Sequence, residues 1–112
     1  MDCIFCRIAH GDIPSNKVFE NDEILAFYDL NPQAPTHILL IPKQHIESAA
    51  DIDQTNSGLT ARIFELIAFL ARDLKIESGF RVVSNSGESA GQSVKHLHFH
   101  LLSGRDFSWP PG

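Results

Sequence analysis

Cysteine occurs only twice in this sequence, as Cys3 and Cys6, and basic side chains are outnumbered by acidic ones, nine against fourteen. Two thiols separated by two residues cannot make the disulfide framework of a small secreted domain, so a reduced, cytoplasmic setting is the simplest expectation. Long apolar runs are missing too. Those present are too short or too interrupted to cross a bilayer, and no membrane partner is expected. The first residues, MDCIFCRIAHGD, lack the basic start, the long apolar core and the small-residue cleavage site of a secretory signal, so none is expected. The formal net charge of −5 argues against non-specific contact with nucleic acid or an anionic membrane. It leaves room for a small anion, because a local patch can be positive within an acidic whole.

What is present reads as an ordinary globular chain. With 112 residues, 43% hydrophobic and 21% charged, one domain spanning 1–112 can bury one core. In "CIFCRIAHGDIP", Ile4, Phe5 and Ile8 recur at one-turn spacing, predicting a short helix stopped at Gly11 with Pro14 beyond. "KVFE" and "ILAFYDL", joined by the polar "NDE", predict two antiparallel strands. "NPQAPT" reads as a loop, and "HILLIP" as a strand ended by Pro42. Leu59, Ile63, Leu66, Ile67, Leu70 and Leu74 share one helical face, which predicts a long amphipathic helix capped by Asp53 or a neighbour, with Gly79 just past its end. "FRVVSN" and "HLHFHLL" read as strands flanking the Gly/Ser loop "SGESAGQS". The expected class is α+β, a five-stranded antiparallel sheet with one long and one short helix.

Half of the six histidines stand at alternate positions of "HLHFHLL". On a strand His96, His98 and His100 share one face, looking out of the sheet, while Leu97, Phe99 and Leu101 pack on the core. A chance polar face is one reading. A metal site is another, but alternate residues lie roughly 6.6 Å apart and the outer pair roughly 13 Å, so all three converge on one ion only with difficulty. The third is phosphate chemistry. Imidazoles in a row span a phosphate chain, and a neutral imidazole is a nucleophile toward phosphorus. The preceding "SAGQSV" favours the third: Gly91 permits close backbone approach, and the Gln92 amide, Ser93 hydroxyl and local N–H groups can point at phosphate oxygens.

The pattern His-φ-His-φ-His-φ-φ, where φ is apolar, resembles the defining motif of the histidine triad (HIT) family of nucleotide hydrolases and transferases. "IFCRIAHGDIPSNKVFENDEILAFYDLNPQAPTHILLIPKQHI", "RVVSN", "GQSVKHLHFHLLSGR" and the closing "WPPG" are similar to its nucleotide-binding branch across nearly the whole chain; only the long helix carries no signature. The resemblance implies a HIT-like fold and hydrolysis of purine nucleoside phosphoramidates to an amine and a nucleoside monophosphate. It implies that His98 attacks the α-phosphorus, its other nitrogen donating to the backbone carbonyl of His96. His100 would hold phosphate oxygens, Ser93 would help to protonate the leaving amine, and His37 would support the cluster. Asp29 would accept from the ribose hydroxyls, although it could equally cap the "NP" turn. Ile4, Phe5, Ile8, Phe27, Leu30 and Leu39 would form the base slot, and Asn85, Gly91, Gln92 and Val94 would line the ribose and phosphate side.

Two positions depart from the branch. Ala90 stands where a glycine is usual, restricting the loop, and Tyr28 precedes Asp29 where histidine also occurs. No cofactor is needed for the implied catalysis. The Cys-x-x-Cys pair reads as a redox couple, as two free thiols, or as half of a zinc site; by resemblance to some prokaryotic members, His45 and His96 would complete the last. The resemblance also implies a homodimer with a continuous sheet, in which the otherwise exposed Trp109 of one copy shapes leaving-group selection at the other's site. Rival functions are a dinucleoside polyphosphate hydrolase or nucleotidyl transferase, and a nucleotide-binding scaffold with little turnover.

Overall fold

The computed structural model describes residues 3–112. A short helix, α1 (Ile4–Ala9), precedes β1 (Lys17–Glu20), β2 (Ile24–Tyr28) and β3 (Thr36–Pro42). A 3-10 turn (Ala49–Asp51) leads to the long helix α2 (Ser57–Asp73), then β4 (Phe80–Val83), a second 3-10 turn (Glu88–Ala90) and β5 (Phe99–Ser103). The strands form one antiparallel sheet in the order β1-β2-β3-β5-β4. The expected α+β class and strand count are both present.

Side-chain alternation gives the sheet two different faces. Leu59, Ile63, Leu66, Ile67 and Leu70 of α2 cover Ile24, Ala26, Ile38, Leu40, Leu97, Phe99 and Leu101. On the other face α1 lays Phe5, Ile8 and Ala9 over Leu25, Phe27, Leu39 and Ile41. The histidine row belongs to this second face, because His100 pairs across β3–β5 with Leu39. It faces out of the sheet, as the alternation implies, but α1 roofs its first two members, so His96 is fully buried and His98 is 6% exposed while His100 is partly buried. The strand is also shorter than expected. Regular pairing begins only at Phe99, leaving His96 and His98 in the irregular approach to β5.

The helix ends differ from expectation in chemistry. Asn56, not Asp53, is the N-cap of α2, and its side chain makes no cap bond. Asp53 instead binds the Thr55 N–H and hydroxyl in the preceding turn. At the C-terminus the chain reverses at Lys75, whose φ of 60° does the work expected of Gly79. The Ile76 N–H reaches back to the Ala71 carbonyl and the Lys75 N–H to that of Arg72, a double closure that glycine normally provides. Gly11, as expected, ends α1 with φ +83°.

Two backbone positions test this account in opposite directions. Gly104 has φ +96°, and a Cβ there would lie 2.8 Å from the Pro35 Cβ. Gly104→Ala should therefore cost about 2 kcal/mol in chemical denaturation, whereas Lys75→Gly should add roughly 0.5–1 kcal/mol by relieving the left-handed residue. A neutral Gly104→Ala, or a destabilising Lys75→Gly, would contradict the turn geometry.

Candidate functional site

His98 lies beside the start of α1, its ring edge-on to Phe5 with centroids 5.0 Å apart. Its Nδ1 is 2.7 Å from the backbone carbonyl of His96. A carbonyl only accepts, so Nδ1 carries the proton and Nε2 the lone pair. The Ser84 hydroxyl donates to the His98 carbonyl at 2.8 Å and secures the backbone there. Ser84 was not picked out from the sequence, where a serine after a strand signals nothing more than a turn.

A second chain of hydrogen bonds fixes His100. The Gln33 N–H donates to His37 Nδ1 at 3.0 Å, so His37 carries its proton on Nε2 and donates it to His100 Nδ1 at 2.8 Å. His100 is left with a proton on Nε2. Burial, then the neighbouring His98 and His37 rings, push the His100 imidazole from the ordinary 6.5 down to about 4, against the pull of Asp29. Burial lowers His37 as well, with Asp29, 3.5 Å away, opposing it. The row thus presents a lone pair at His98 beside a neutral N–H donor at His100, ring centroids 5.1 Å apart. That pairing suits attack on an electrophile whose oxygens need stabilising.

The surrounding residues meet expectation unevenly. Phe5, Ile8, Phe27 and Leu39 come together, but as a closed apolar layer with Leu25 and Ile41; Ile4, half exposed, stands at its edge. Leu30 is 97% exposed and joins no slot within the chain, because the turn after β2 carries it outward. Asp29 does cap that turn, Oδ1 accepting from the Asn31 N–H at 2.8 Å, while Oδ2 faces His37. The Gln92 amide is engaged within the protein rather than turned toward the row. Its Oε1 accepts from the Gly87 N–H, its Nε2 donates to the Glu47 and Val94 carbonyls, and its own N–H is bound to the Gly87 carbonyl. It braces the loop instead, leaving the N–H groups of Ser93 and Val94 without an acceptor among the described residues. Gly91 takes φ +90°. Ala90 avoids positive φ, so the departure from glycine there introduces no strain.

Two clefts flank the row. One, of about 420 Å³, holds Ser93 and Val94 with Cys3, Ile4, His45 and Lys95; the Ser93 side chain is exposed and makes no hydrogen bond to His98. The other, of about 210 Å³, brings Asn85 to His37 and His100. Its wall includes Arg81 and Arg105, stacked over the Phe107 ring at 5.0 and 4.3 Å, which the sequence reading missed. Arg81 also donates to the Ser108 carbonyl at 2.8 Å, tying the C-terminal segment across β4.

Cys3, Cys6, His45 and His96 form a separate cluster, with one potential ligand atom from each lying within 4.8 Å of all the others. His96 Nε2–H donates to the Pro42 carbonyl at 2.8 Å, so Nδ1 bears the lone pair and faces Cys3 Sγ at 3.3 Å and Cys6 Sγ at 3.4 Å. His45 Nδ1 is 3.1 Å from Cys6 Sγ. A tetrahedral zinc centre places ligand atoms roughly 3.3–3.8 Å apart, so the donor set and spacing fit such an ion. The Cys6 N–H donating to Cys3 Sγ at 3.2 Å and the His96–Pro42 bond supply the outer hydrogen bonds such ligands need. Asp29, His37 and His100 also converge, but their facing nitrogens are committed to each other.

The sequence model of the HIT domain matches residues 10–107. The chain belongs to the HIT family. Its fold superimposes on that of a HIT family hydrolase from Legionella pneumophila with a TM-score of 0.96 at 48% identity, covering 99% of this chain and all of that one. A histidine triad nucleotide-binding protein from Candida albicans aligns with a TM-score of 0.83 at 33% identity, over 99% of this chain and 85% of its own. The 14 kDa zinc-binding protein of Zea mays is 43% identical over 111 residues, 97% of this chain and 87% of that protein. The HIT motif itself is the row of imidazoles described above.

The lowered His100 pKa fixes a pH dependence. The unfolded chain takes up its proton near 6.5 and the folded chain only near 4, so stability is full above pH 6.5 and declines as the pH falls toward 4. His100 alone should account for roughly 2 kcal/mol of that decline. Urea denaturation of parent and His100→Asn protein from pH 7 to 4.5 checks this; identical slopes would contradict it.

Proposed function

We propose that the protein hydrolyses purine nucleoside 5′-phosphoramidates, cleaving the P–N bond through a nucleotidyl-histidine intermediate. The observation that carries the reading is the protonation pattern of the row. His98 Nδ1–H is fixed on the His96 carbonyl, so Nε2 is the free nucleophile, and His100 Nε2–H stands beside it as a donor. His98 Nε2 attacks the α-phosphorus, forming an N–P bond as the P–N bond to the amine breaks. The amine leaves with a proton, which Ser93 helps to deliver. Water then displaces His98 and releases the nucleoside monophosphate. His100, with the Ser93 and Val94 N–H groups, binds the phosphoryl oxygens, and the Asp29 Oδ2 takes the ribose hydroxyls. A hydrolase is also what the Legionella relative is called.

The cluster of Cys3, Cys6, His45 and His96 is read as the holder of a structural zinc ion, as the maize relative's name supports; bound there, zinc would cross-link α1 to the segments after β3 and before β5. Burial and the adjacent Cys3 push the Cys6 thiol up to about 11, so an ion rather than pH would draw off its proton. A reduced, cytoplasmic setting would keep both thiols available. Exposed Phe64 and Phe69 on α2 and Phe80 on the edge strand β4 support a homodimer joined along that edge. Trp109, 84% exposed, would then reach the partner's leaving-group site. No helix among the described residues is long and apolar enough to cross a membrane.

The test is steady-state hydrolysis of an AMP–amine conjugate beside a diadenosine polyphosphate, with AMP affinity measured by calorimetry. The parent should prefer the conjugate, and His98→Ala should lose about 10⁴-fold in kcat while retaining AMP binding. Preference for the dinucleotide would move the protein to a sister activity, and AMP binding without turnover would make it a binder. Light scattering on the same samples should give twice the chain mass; a monomer would remove the dimer.

A further inference from the structure

His96 takes part in two structures at once. Its side chain belongs to the Cys3–Cys6–His45 cluster through Nδ1, and its backbone carbonyl holds the proton of His98 Nδ1. We propose that the metal cluster is a positioning device for the nucleophile: an ion held by Cys3, Cys6, His45 and His96 fixes the His96 carbonyl, and through it the aim of the His98 ring. The inference rests on the zinc reading and the hydrolase reading given above, and goes beyond both by joining them.

The backbone makes the coupling necessary. His96 and His98 precede β5, so no sheet ladder holds the carbonyl that lies between them. The local anchors are the Leu97 N–H to the Ile46 carbonyl at 2.6 Å, the Ser84 hydroxyl on the His98 carbonyl, and the His96 ring itself. That ring is fully buried and gripped at both nitrogens, Nε2 by the Pro42 carbonyl and Nδ1 by the sulfur pair. Without an ion, the Nδ1 end has only thiol contacts, which are weak. The same sulfurs sit at the start of α1, whose Phe5 packs edge-on against both His96 and His98, with centroids 6.1 and 5.0 Å away. One ion would therefore steady the nucleophile's acceptor and the aromatic wall behind the nucleophile together. His96 and His45 act here as positioning residues, through His98, and touch no substrate.

The experiment compares zinc-loaded protein, zinc-stripped protein, His45→Ala and His45→Cys. Bound zinc per chain, kcat and KM for an AMP–amine conjugate, and the His98 Nδ1 proton resonance in histidine-selective nitrogen spectra are measured on each. Loss of the ion should lower kcat by about 10- to 100-fold, with KM changing far less, and should broaden the His98 resonance by exchange with water. His45→Cys keeps a donor in place and should restore zinc, kcat and resonance together. An ion-free protein with unchanged kcat and an unchanged His98 resonance would overturn the proposal. Parent protein that binds no zinc would overturn it through the zinc reading, and the stoichiometry identifies that case. If no conjugate is turned over, the hydrolase reading fails and the resonance alone decides the coupling. If stripped protein unfolds, zinc- and cadmium-loaded proteins are compared, both folded. The larger ion should shift the resonance and reduce kcat, and identical behaviour would overturn the coupling.

Discussion

A hydrogen bond 2.7 Å long, from His98 Nδ1 to the carbonyl of His96, decides which nitrogen of the middle imidazole is free. Reverse that proton and the same ring, in the same place, presents an N–H where a lone pair is needed. Everything else near the row acts to keep the bond in place. Ser84 holds the backbone on one side of it, Pro42 and the cysteine–histidine cluster hold the ring on the other, and Phe5 closes the space behind. A matching chain through Gln33 and His37 gives His100 the opposite outward polarity, a donor beside an acceptor. Burial lowers the pKa of both His37 and His100, so these two rings can sit in contact without repulsion between charges.

The fold supplies this arrangement through the two faces of one sheet. α2 covers one face with aliphatic side chains and provides the bulk of the core. The small α1 covers the other, and it carries polar chemistry there because Cys3 and Cys6 lie at its start. Burying imidazoles costs free energy unless each nitrogen finds a partner. His37 is held by a backbone N–H and by His100, His96 by a backbone carbonyl and the cysteine sulfurs, and His98 by a backbone carbonyl at Nδ1 with Nε2 left free. The nearest carboxylate is Asp29, 3.5 Å from His37.

Much of this was legible in the sequence, for identifiable reasons. The period-2 alternation of "HLHFHLL" gave the correct partition, Leu97, Phe99 and Leu101 inward and the histidines together. The apolar stripe of "LTARIFELIAFLARDL" gave α2, and the motif gave the family. What alternation cannot say is what covers a face, so the burial of the row beneath α1 was not legible. Nor could it show that Gln92 would spend its amide on its own loop, or that Leu30 would turn outward: both follow from loop geometry with no periodic signal. Residue type points to Asp53 or a neighbour as the cap of α2 and to Gly79 just past its end, whereas Asn56 is the cap and the chain reverses at Lys75. Arg81, Arg105 and Phe107 came together only through the return of the tail across β4, a contact between distant segments.

The central claim is that His98 becomes covalently nucleotidylated. Rapid acid-free quenching of the protein with an AMP–amine conjugate, followed by peptide mapping in a mass spectrometer, tests it most directly. An AMP adduct on the peptide carrying His98, forming and decaying at the turnover rate, is the expected result. Turnover with no adduct, or an adduct localised to His96 or His100, would contradict the account.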